Sequence, residues 1–344
     1  MIRYIDLFAG VGGFRYAMQR AAAEFGLAAE CVFSSEIDKE CQRVYQANFG
    51  ELPQGDITAI PAASIPEHDI LLAGFPCQPF SIIGQRKGFQ DARGTLFFEI
   101  ARILDAKKPS VFVLENVKLL AGHNKGETLR TILEILRELG YNAGYKILNA
   151  LDFGLPQKRE RIFLVGFRKP CLFQWPAAKM HMRPLKDILE HEVAEEYFAS
   201  EHIRKKRLSR KQPSAEPTIW HENKSGNISA YPFSCALRAG ASYNYLLVNG
   251  ERRLTAREMF RLQGFPEDFK IISSYAQARK QAGNSLPVPV AKAVIRNVLE
   301  AYGLVPLNSQ ETAVRQLNLF TAERKYNEIA KAADGGKISA AVSA

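Results

Sequence analysis

The chain has 344 residues, of which 47% are hydrophobic and 24% are charged. That length suffices for one large domain with a smaller one beside it, and the composition is ordinary for a globular protein. No apolar run approaches the roughly 18 residues of a membrane span. The N-terminus lacks the pattern of a signal peptide, so we expect a cytoplasmic location.

The five cysteines are widely spaced and include no CxxC pair: Cys31, Cys41, Cys77, Cys171 and Cys235. Their odd number and spacing argue against a disulfide framework and against a structural zinc site, although one of them could be a catalytic thiol.

The net charge of +10 is concentrated in one third of the chain. Residues 168–280 contain 20 Lys and Arg against 12 Asp and Glu, which is about +8 of the total. Such a field favours a polyanionic partner, with nucleic acid as the first candidate. Charge that serves solubility alone is the alternative.

Short β-rich runs alternate with helical patterns over residues 1–167. This alternation predicts an α/β fold, a doubly wound and mainly parallel sheet with helices on both faces. The predicted strands are 2–6, 29–35, 70–73, 111–115, 145–149 and 162–167, and the predicted helices are 14–25, 39–49, 96–107 and 127–139. From about 168 to 270 the pattern becomes irregular, and a helix returns at 288–302.

Unusual residues follow the first predicted strands, at the sheet edge where doubly wound folds bind ligands. The sequence DLFAGVGGF at 6–14 is a glycine-rich turn that enters a helix, and its spacing is not the GxGxxG of dinucleotide sites. Glu36 is placed where an acid can hold ribose hydroxyls. Asp56, after a short segment that could be the third strand, could accept a hydrogen bond from an adenine amino group. A glycine turn alone could be purely steric, but a turn and two acids at successive strand ends favour a nucleoside site.

A cysteine, a glutamate and two arginines follow at later positions. Cys77 lies in GFPCQPFS at 74–81, where flanking prolines make burial as a core residue unfavourable. Glu115 ends an apolar run and needs a partner or a function. Arg159 and Arg161, two residues apart in QKRER at 157–161, could both point toward the cleft.

Taken in order, these motifs resemble those of the DNA cytosine-5 methyltransferases of bacterial restriction–modification systems. The resemblance rests on the motifs above together with ENV at 115–117, RLTAREMFRLQGFP at 253–266 and QAGNS at 281–285, and it runs from residue 2 to about 302.

The resemblance implies an S-adenosylmethionine-dependent enzyme that needs no metal and methylates a cytosine flipped out of duplex DNA. Cys77 would be the nucleophile that adds to C6, and Glu115 would hold or protonate N3 and the 4-amino group. Arg161 and Arg159 would hold O2 and orient Glu115 and the nearby phosphate. The positions that match the cofactor site are Phe8, Gly10, Val11, Gly13, Glu36, Ile37, Asp56, Ile57, Pro76, Leu96, Asn284 and Ser285.

The same resemblance makes 81–93 a loop that closes over the flipped nucleotide, and it makes the basic region the target-recognition module. The run at 204–211 suits phosphate contact, with a solvated helix face as the alternative, and segments 221–227 and 237–245 suit base reading. Ala236-Leu237 replaces the Thr-Leu of many family members, which leaves the placement of the second recognition loop open. The predicted DNA contacts are Ser81, Arg86, Lys87, Arg204, Lys205, Lys206, Arg207, Arg210, Lys211, Arg238, Tyr243 and Asn244.

We therefore predict a catalytic domain of 1–175 and 281–305, a target-recognition domain of 176–280 and a C-terminal extension of 306–344. We expect a monomer that binds double-stranded DNA, associates with the nucleoid and has no membrane partner. A restriction endonuclease would be functionally linked but not bound. The alternatives are a tRNA cytosine-5 methyltransferase, a DNA-binding module without turnover and a nicotinamide-dependent oxidoreductase, which the glycine spacing disfavours.

Overall fold

The computed structural model describes residues 1–76, 96–177, 180–223 and 225–303. The strands are β1 (Ile2–Leu7), β2 (Ala29–Ser35), β3 (Ile70–Gly74), β4 (Val111–Val117), β5 (Asn142–Asn149), β6 (Gln157–Lys158), β7 (Glu160–Phe167), β8 (Ile219–Glu222), β9 (Ile228–Tyr231), β10 (Ser234–Cys235) and β11 (Leu246–Val248). The helices are α1 (Gly13–Ala23), α2 (Lys39–Phe49), α3 (Leu96–Lys107), α4 (Glu127–Glu138), α5 (Glu201–Leu208), α6 (Ala256–Gln263), α7 (Tyr275–Asn284) and α8 (Val288–Ala301).

A six-stranded sheet forms the centre of the fold, in the order β2-β1-β3-β4-β7-β5. Strands β1 to β4 pair in parallel, and β7 runs antiparallel to both of its neighbours. Residues 70–73 of β3 and 111–114 of β4 are apolar and fully buried, as an inner strand covered on both faces requires. The predicted mainly parallel α/β sheet is confirmed.

Local sequence signals account for the helix bounds. The side chain of Asp38 accepts the N–H groups of Glu40 and Cys41 at the start of α2, and Gly50 ends that helix in the left-handed conformation. Thr255 and Glu258 form a reciprocal capping box at the start of α6. Helices α2 and α3 match their predicted bounds residue for residue.

The short segment before Asp56, which could have been the third strand, forms only an isolated bridge. A single bridge joins Ser35 to Gln54, and a 3-10 turn at Ile57–Ala59 follows, with the Asp56 side chain accepting the N–H of Thr58. One bridge is too short to extend the sheet, so the third strand of the sheet in chain order is β3.

The region from 168 to 270 is less irregular than predicted. Strands β11, β8 and β9 form an antiparallel three-stranded sheet, and the regular helix α6 follows it. Short strand β10 pairs with β6, which directly precedes β7. The division into catalytic and recognition domains stays a prediction.

The chain separates into two compact units, Met1–Val298 and Leu299–Ala344. In the second unit the structure describes residues 299–303, which are helical as far as Ala301. The predicted C-terminal extension lies outside the described residues. Within the ranges that are described, no helix has both the length and the apolar character that crossing a bilayer requires.

Candidate active site

The carboxyl ends of four parallel strands bring most of the predicted site residues to one edge of the sheet. The register pairs Leu7 of β1 with Ser35 of β2 and with Ala73 of β3, and it pairs Gly74 of β3 with Glu115 of β4. The residues that follow these strands are therefore neighbours across the edge, as the parallel arrangement requires.

The glycine-rich turn after β1 has an unusual backbone. Phe8 has a φ of 56°, and Gly10 and Gly12 have φ values of 56° and 90°. The N–H of Ala9 donates to the carbonyl of Ser35 at 2.9 Å, which fastens the turn to β2. A methyl group at Gly12 would overlap Cε2 of the Phe49 ring, so this position needs glycine for both its conformation and its space.

Glu36 is held against this turn by two backbone donors. Its carboxylate accepts the N–H of Gly10 at 2.8 Å and the N–H of Asp38 at 2.7 Å, and its carbonyl accepts the side chain of Gln42. Burial raises the pKa of the Glu36 carboxyl, and these two N–H groups oppose the rise. Because a carboxylate oxygen has two lone pairs, an oxygen that accepts one N–H group can also accept a hydroxyl.

These residues suit the adenosine part of S-adenosylmethionine. The fixed carboxylate of Glu36 can accept both ribose hydroxyls, and the neighbouring Ile37, an apolar side chain that is 67% exposed, can cover a purine face. Asp56 is exposed on the same edge, beyond the Ser35–Gln54 bridge. The observed cradle therefore fits the predicted cofactor.

The C-terminal cofactor segment reaches this cradle from the far end of the chain. A methyl group at Gly13 would lie 3.1 Å from Leu286, which directly follows Asn284 and Ser285. Lys280 forms an ion pair with Asp38 at 2.7 Å. Thus α7 ends beside the glycine-rich turn, and Asn284 is exposed there.

The predicted cofactor residues fall into two groups, one accessible to solvent and one buried. Side chains that are exposed or half-buried belong to Phe8, Glu36, Ile37, Asp56, Pro76, Leu96, Asn284 and Ser285, and Gly10 is likewise half-buried. Val11, Gly13 and Ile57 are buried, so they can act only through backbone atoms or by supporting the cradle.

Glu115 and Arg161 form the acid and cation pair of the site. Nε of Arg161 lies 2.9 Å from Oε1 of Glu115, and the Glu115 residue is 8% exposed. Burial raises the pKa of the Glu115 carboxyl, while the charges of Arg161 and Arg159 limit that rise. A carboxyl with a raised pKa beside a guanidinium is suited to proton donation and to charge stabilisation.

Asn116 is a site residue to which the sequence analysis assigned no role. Its side chain is buried and donates to the carbonyl of Phe75 at 2.9 Å, and its amide oxygen accepts the N–H of Val117 at 2.7 Å. It thereby fixes the end of β4 to the segment that leads from β3 into Cys77. The signal lies in the ENV motif, where a buried amide follows the glutamate directly.

Cys77, Ser81, Arg86 and Lys87 lie outside the described residues. The four described cysteines can nevertheless be assessed as rival nucleophiles. Burial raises the pKa of each thiol, to about 12 at Cys31 and about 11 at Cys171. A raised pKa disfavours the thiolate, so none of these four has the environment of an activated nucleophile.

Arg159 is placed differently from its predicted role. It is fully buried, and its guanidinium donates to the carbonyls of Leu237 at 3.0 Å, Gly283 at 2.9 Å and Ser285. Arg161 therefore contacts Glu115, whereas the guanidinium of Arg159 is directed to backbone carbonyls instead.

Arg207 also departs from its expected position on a phosphate-binding surface. It is 1% exposed, and its guanidinium contacts Glu222 at 3.0 Å and donates to the carbonyls of Trp220 and Asn244. These bonds attach α5 to the three-stranded sheet. As a correction, Arg207 has no free face for a phosphate in this structure.

The other cations of this run are more accessible. Lys205, Lys206, Arg210 and Lys211 are exposed, and Arg204 is half-buried over the ring of Phe198. Arg210 donates to the carbonyl of Gly226 at 3.0 Å. Lys224, in the segment 221–227, is outside the described residues.

Arginines and tyrosines are stacked along the predicted recognition loop at 237–245. Arg238 lies 4.9 Å from the ring centre of Tyr245, and Arg279 lies 4.3 Å from that of Tyr243. Tyr243 also stacks on Tyr275 at 6.0 Å. Asn244 is half-buried.

Sequence reasoning missed Arg279 and Tyr275, because both lie outside the loop and reach it only in the folded chain. Arg238 and Tyr243 are exposed, whereas Arg279 and Tyr275 are half-buried, and this cationic and aromatic cluster suits a nucleic acid.

Comparisons with known proteins find relatives that match over most of the chain. The model of the C-5 cytosine-specific DNA methylase family matches residues 2–300. The chain is 56% identical over 296 residues to the Type II methyltransferase M.NgoBI of Neisseria gonorrhoeae, covering 85% of this chain and 92% of that protein. It is 53% identical over 303 residues to the Type II methyltransferase M.HaeII of Haemophilus aegyptius, covering 87% and 93% respectively.

Two solved structures share the fold. One is the Dnmt2 methyltransferase of S. pombe, with a TM-score of 0.63 and 23% identity over 87% of this chain and 99% of that chain. The other is a putative DNA modification methyltransferase encoded within a prophage of E. coli, with a TM-score of 0.68 and 19% identity over 88% and 100%.

Proposed function

The chain belongs to the C-5 cytosine-specific DNA methylase family, and on that basis we propose how its residues methylate a cytosine flipped out of a short duplex sequence. The family establishes the reaction, transfer of a methyl group to C5 of cytosine in DNA, with S-adenosylmethionine as the methyl donor. The observation that carries the residue assignment is the ion pair of Glu115 and Arg161, beside the segment that leads into Cys77.

Cytosine C5 is too weak a nucleophile to react unaided. The thiolate of Cys77 would form a bond to C6, and the electron pair of the C5–C6 double bond would make C5 nucleophilic. Glu115 would donate a proton to N3 as this bond forms, and Arg161 would hold both Glu115 and the base oxygen O2. Bound S-adenosylmethionine supplies an electrophilic methyl group. Once C5 has taken this methyl group, a water molecule would accept the C5 proton, and the freed electron pair would re-form the C5–C6 double bond and expel the Cys77 thiolate. N3 would return its proton to Glu115, which restores the acid.

Recognition of the duplex would belong to residues 176–280, whose sheet of β8, β9 and β11 is separate from the central sheet. Residues 1–175 and 281–305 would form the catalytic domain. Arg238 lies over the ring of Tyr245, and the ring of Tyr243 packs against Arg279. The exposed side chains of Arg238 and Tyr243 support contact of the loop at 237–245 with the bases or the backbone of DNA. Such a protein would bind DNA as a monomer and would associate with the nucleoid through it.

The relatives named Type II methyltransferases support a further step, protection of DNA from a partner restriction endonuclease. A protective methylase must modify every copy of one short sequence. A library of random DNA sequences is treated with the protein and then sequenced after bisulfite conversion. We expect one cytosine of one motif to resist conversion in every copy. Partial methylation over many motifs would contradict a protective role.

The nucleophile is tested by replacing the target C5 hydrogen with fluorine. The proton that must leave after methylation is then absent, so the protein should remain joined to DNA through a thioether that survives denaturing gels. The adduct should require S-adenosylmethionine, because without methyl transfer the thiol departs again. Cys77→Ser should form no adduct but should still bind DNA, because a serine hydroxyl is a far weaker nucleophile.

Mapping the adduct by mass spectrometry identifies the reacting residue. An adduct at Cys31, Cys41, Cys171 or Cys235 would overturn the assignment. Assaying duplex DNA and tRNA in parallel tests the tRNA alternative, since methylation of tRNA alone would contradict the proposed recognition of duplex DNA.

A further inference from the structure

The backbone N–H and the backbone carbonyl of Leu237 are both hydrogen-bonded to buried side chains that lie just before β7. Gln157 and Arg159 are each fully buried. The N–H of Leu237 donates to the Gln157 side-chain oxygen at 3.2 Å, and Arg159 donates to the Leu237 carbonyl at 3.0 Å. Leu237 is the first residue of the recognition loop at 237–245, so this loop starts from a fixed point in the core.

The same guanidinium reaches the cofactor segment. Its second terminal nitrogen donates to the carbonyls of Gly283 and Ser285, which flank Asn284. Leu237 is 78 residues and Gly283 is 124 residues from Arg159 in the sequence. One planar guanidinium therefore joins two segments that the proposed function assigns to different ligands.

A close backbone approach links these segments independently of Arg159. A methyl group at Gly283 would lie 2.5 Å from the backbone nitrogen of Ala239 and 3.0 Å from its Cα. Arg279, on the same helix as Gly283, donates to the Ala241 carbonyl at 2.8 Å. The loop can therefore not shift against the end of α7 without breaking this hydrogen bond.

We propose that Arg159 is a positioning residue that couples DNA recognition to cofactor binding, by fixing the loop at 237–245 to the segment at 283–285. The proposal rests on the proposed function, because it takes the first segment to contact DNA and the second to contact the cofactor. Coupling between sites is reciprocal. Cognate DNA that orders the loop should therefore tighten cofactor binding, and bound cofactor should tighten DNA binding by the same factor.

The test measures this factor with S-adenosylhomocysteine, which occupies the cofactor site without reacting. Its Kd is measured by titration calorimetry in the absence and presence of duplex DNA that contains the methylated motif. We expect the wild-type Kd to fall by about 5-fold or more with DNA. The coupling ratio is the Kd without DNA divided by the Kd with DNA. Arg159→Lys should bring this ratio near one, because an ammonium group lacks the planar fork with which a guanidinium bridges both segments.

Gly283→Ala tests the close backbone approach and should also lower the ratio, since the methyl group must push the loop away. Gly144→Ala is the matched control, because its methyl group on β5 meets open space, and it should retain the wild-type ratio. A merely structural defect would lower the active fraction without changing the ratio of the two Kd values.

A wild-type ratio of one would overturn the proposal even if neither variant folds, and so would an unchanged ratio in a folded Arg159→Lys protein. Methyl transfer by the wild-type protein is assayed first. Methylation without coupling contradicts only this inference, whereas absent methylation contradicts the proposed function.

Discussion

At the scale of single residues, burial decides what the charged groups can do. Glu115 and Asp6 are both buried acids at the carboxyl ends of strands in the central sheet, but of the two only Glu115 has an arginine side chain at ion-pair distance. A buried carboxyl with a cationic partner can change its protonation state during a reaction, whereas one without such a partner is favoured in its neutral form.

Glu115→Gln should lower the rate of methylation by about 10²- to 10⁴-fold, because the amide cannot donate a carboxyl proton to N3. Single-turnover assays with saturating DNA and cofactor measure this rate. DNA affinity should change little. Glu134→Gln, an exposed position on α4, is the control. Full activity of Glu115→Gln would remove this residue from the reaction.

Asp6 predicts a pH dependence of stability. Burial raises its pKa to about 8, against the opposing charge of Arg15. Because the folded pKa is above the unfolded value, the native state binds more protons between about pH 4 and 8. The contribution of Asp6 to stability is therefore complete below the unfolded pKa and is lost as the pH rises through about 8.

Asp6→Asn should remove this loss, so the free energies of unfolding of variant and wild type should diverge with rising pH. The slope of their difference should approach that of one proton, about 1.4 kcal/mol per pH unit. Urea unfolding at a series of pH values measures it. Parallel curves would mean that Asp6 is ionised in the folded protein.

At the scale of elements, buried arginines join parts of the chain that local pattern does not relate. Arg207 attaches α5 to β8 through Glu222 and to the loop before β11 through Asn244. Arg159 joins the central sheet to the recognition loop and to α7. In each case the guanidinium supplies hydrogen bonds that buried carbonyl oxygens would otherwise lack.

Arg207→Met should lower the free energy of unfolding by about 2–4 kcal/mol, because it keeps the apolar volume but removes the donor to two carbonyls and leaves Glu222 with only the more distant Lys206. Lys211→Met, at an exposed position on the same run, should change it by less than about 0.5 kcal/mol. Urea denaturation compares the two. Equal effects would contradict the structural role of Arg207.

At the scale of the whole molecule, more than half of the net positive charge lies in the proposed recognition domain. Replacing Lys205, Lys206, Arg210 and Lys211 with glutamine should weaken binding to all duplex sequences alike. The slope of log K against log salt should become shallower by about 1 for each phosphate that is no longer neutralised, with site preference retained. Fluorescence anisotropy at several salt concentrations measures the slope.

The control for this charge effect is Arg130→Gln with Arg137→Gln on α4, which lies in the proposed catalytic domain. These changes also reduce the net charge but should leave the slope nearly unchanged. An unchanged slope in the quadruple variant would identify the basic run as a solvated helix face.

Sequence alone determined the elements of the central sheet and the order of the site residues at its edge. The strands of the central sheet, the bounds of α2 and α3 and the positions of Glu36 and Glu115 all follow from local pattern. Burial on two faces demands continuous apolar runs in a parallel strand, and parallel strands place their carboxyl ends together. Neither inference needs a distant part of the chain, so both were accessible from the residues themselves.

Only the tertiary structure decided the roles of the arginines. Arg159 and Arg161 are two residues apart and similar in sequence context, yet one holds carbonyls 78 to 126 residues away and the other pairs with Glu115. Arg207 stands in a run of exposed cations but is itself buried. A guanidinium can serve either a ligand or buried carbonyls, and which it serves depends on partners brought together only by folding.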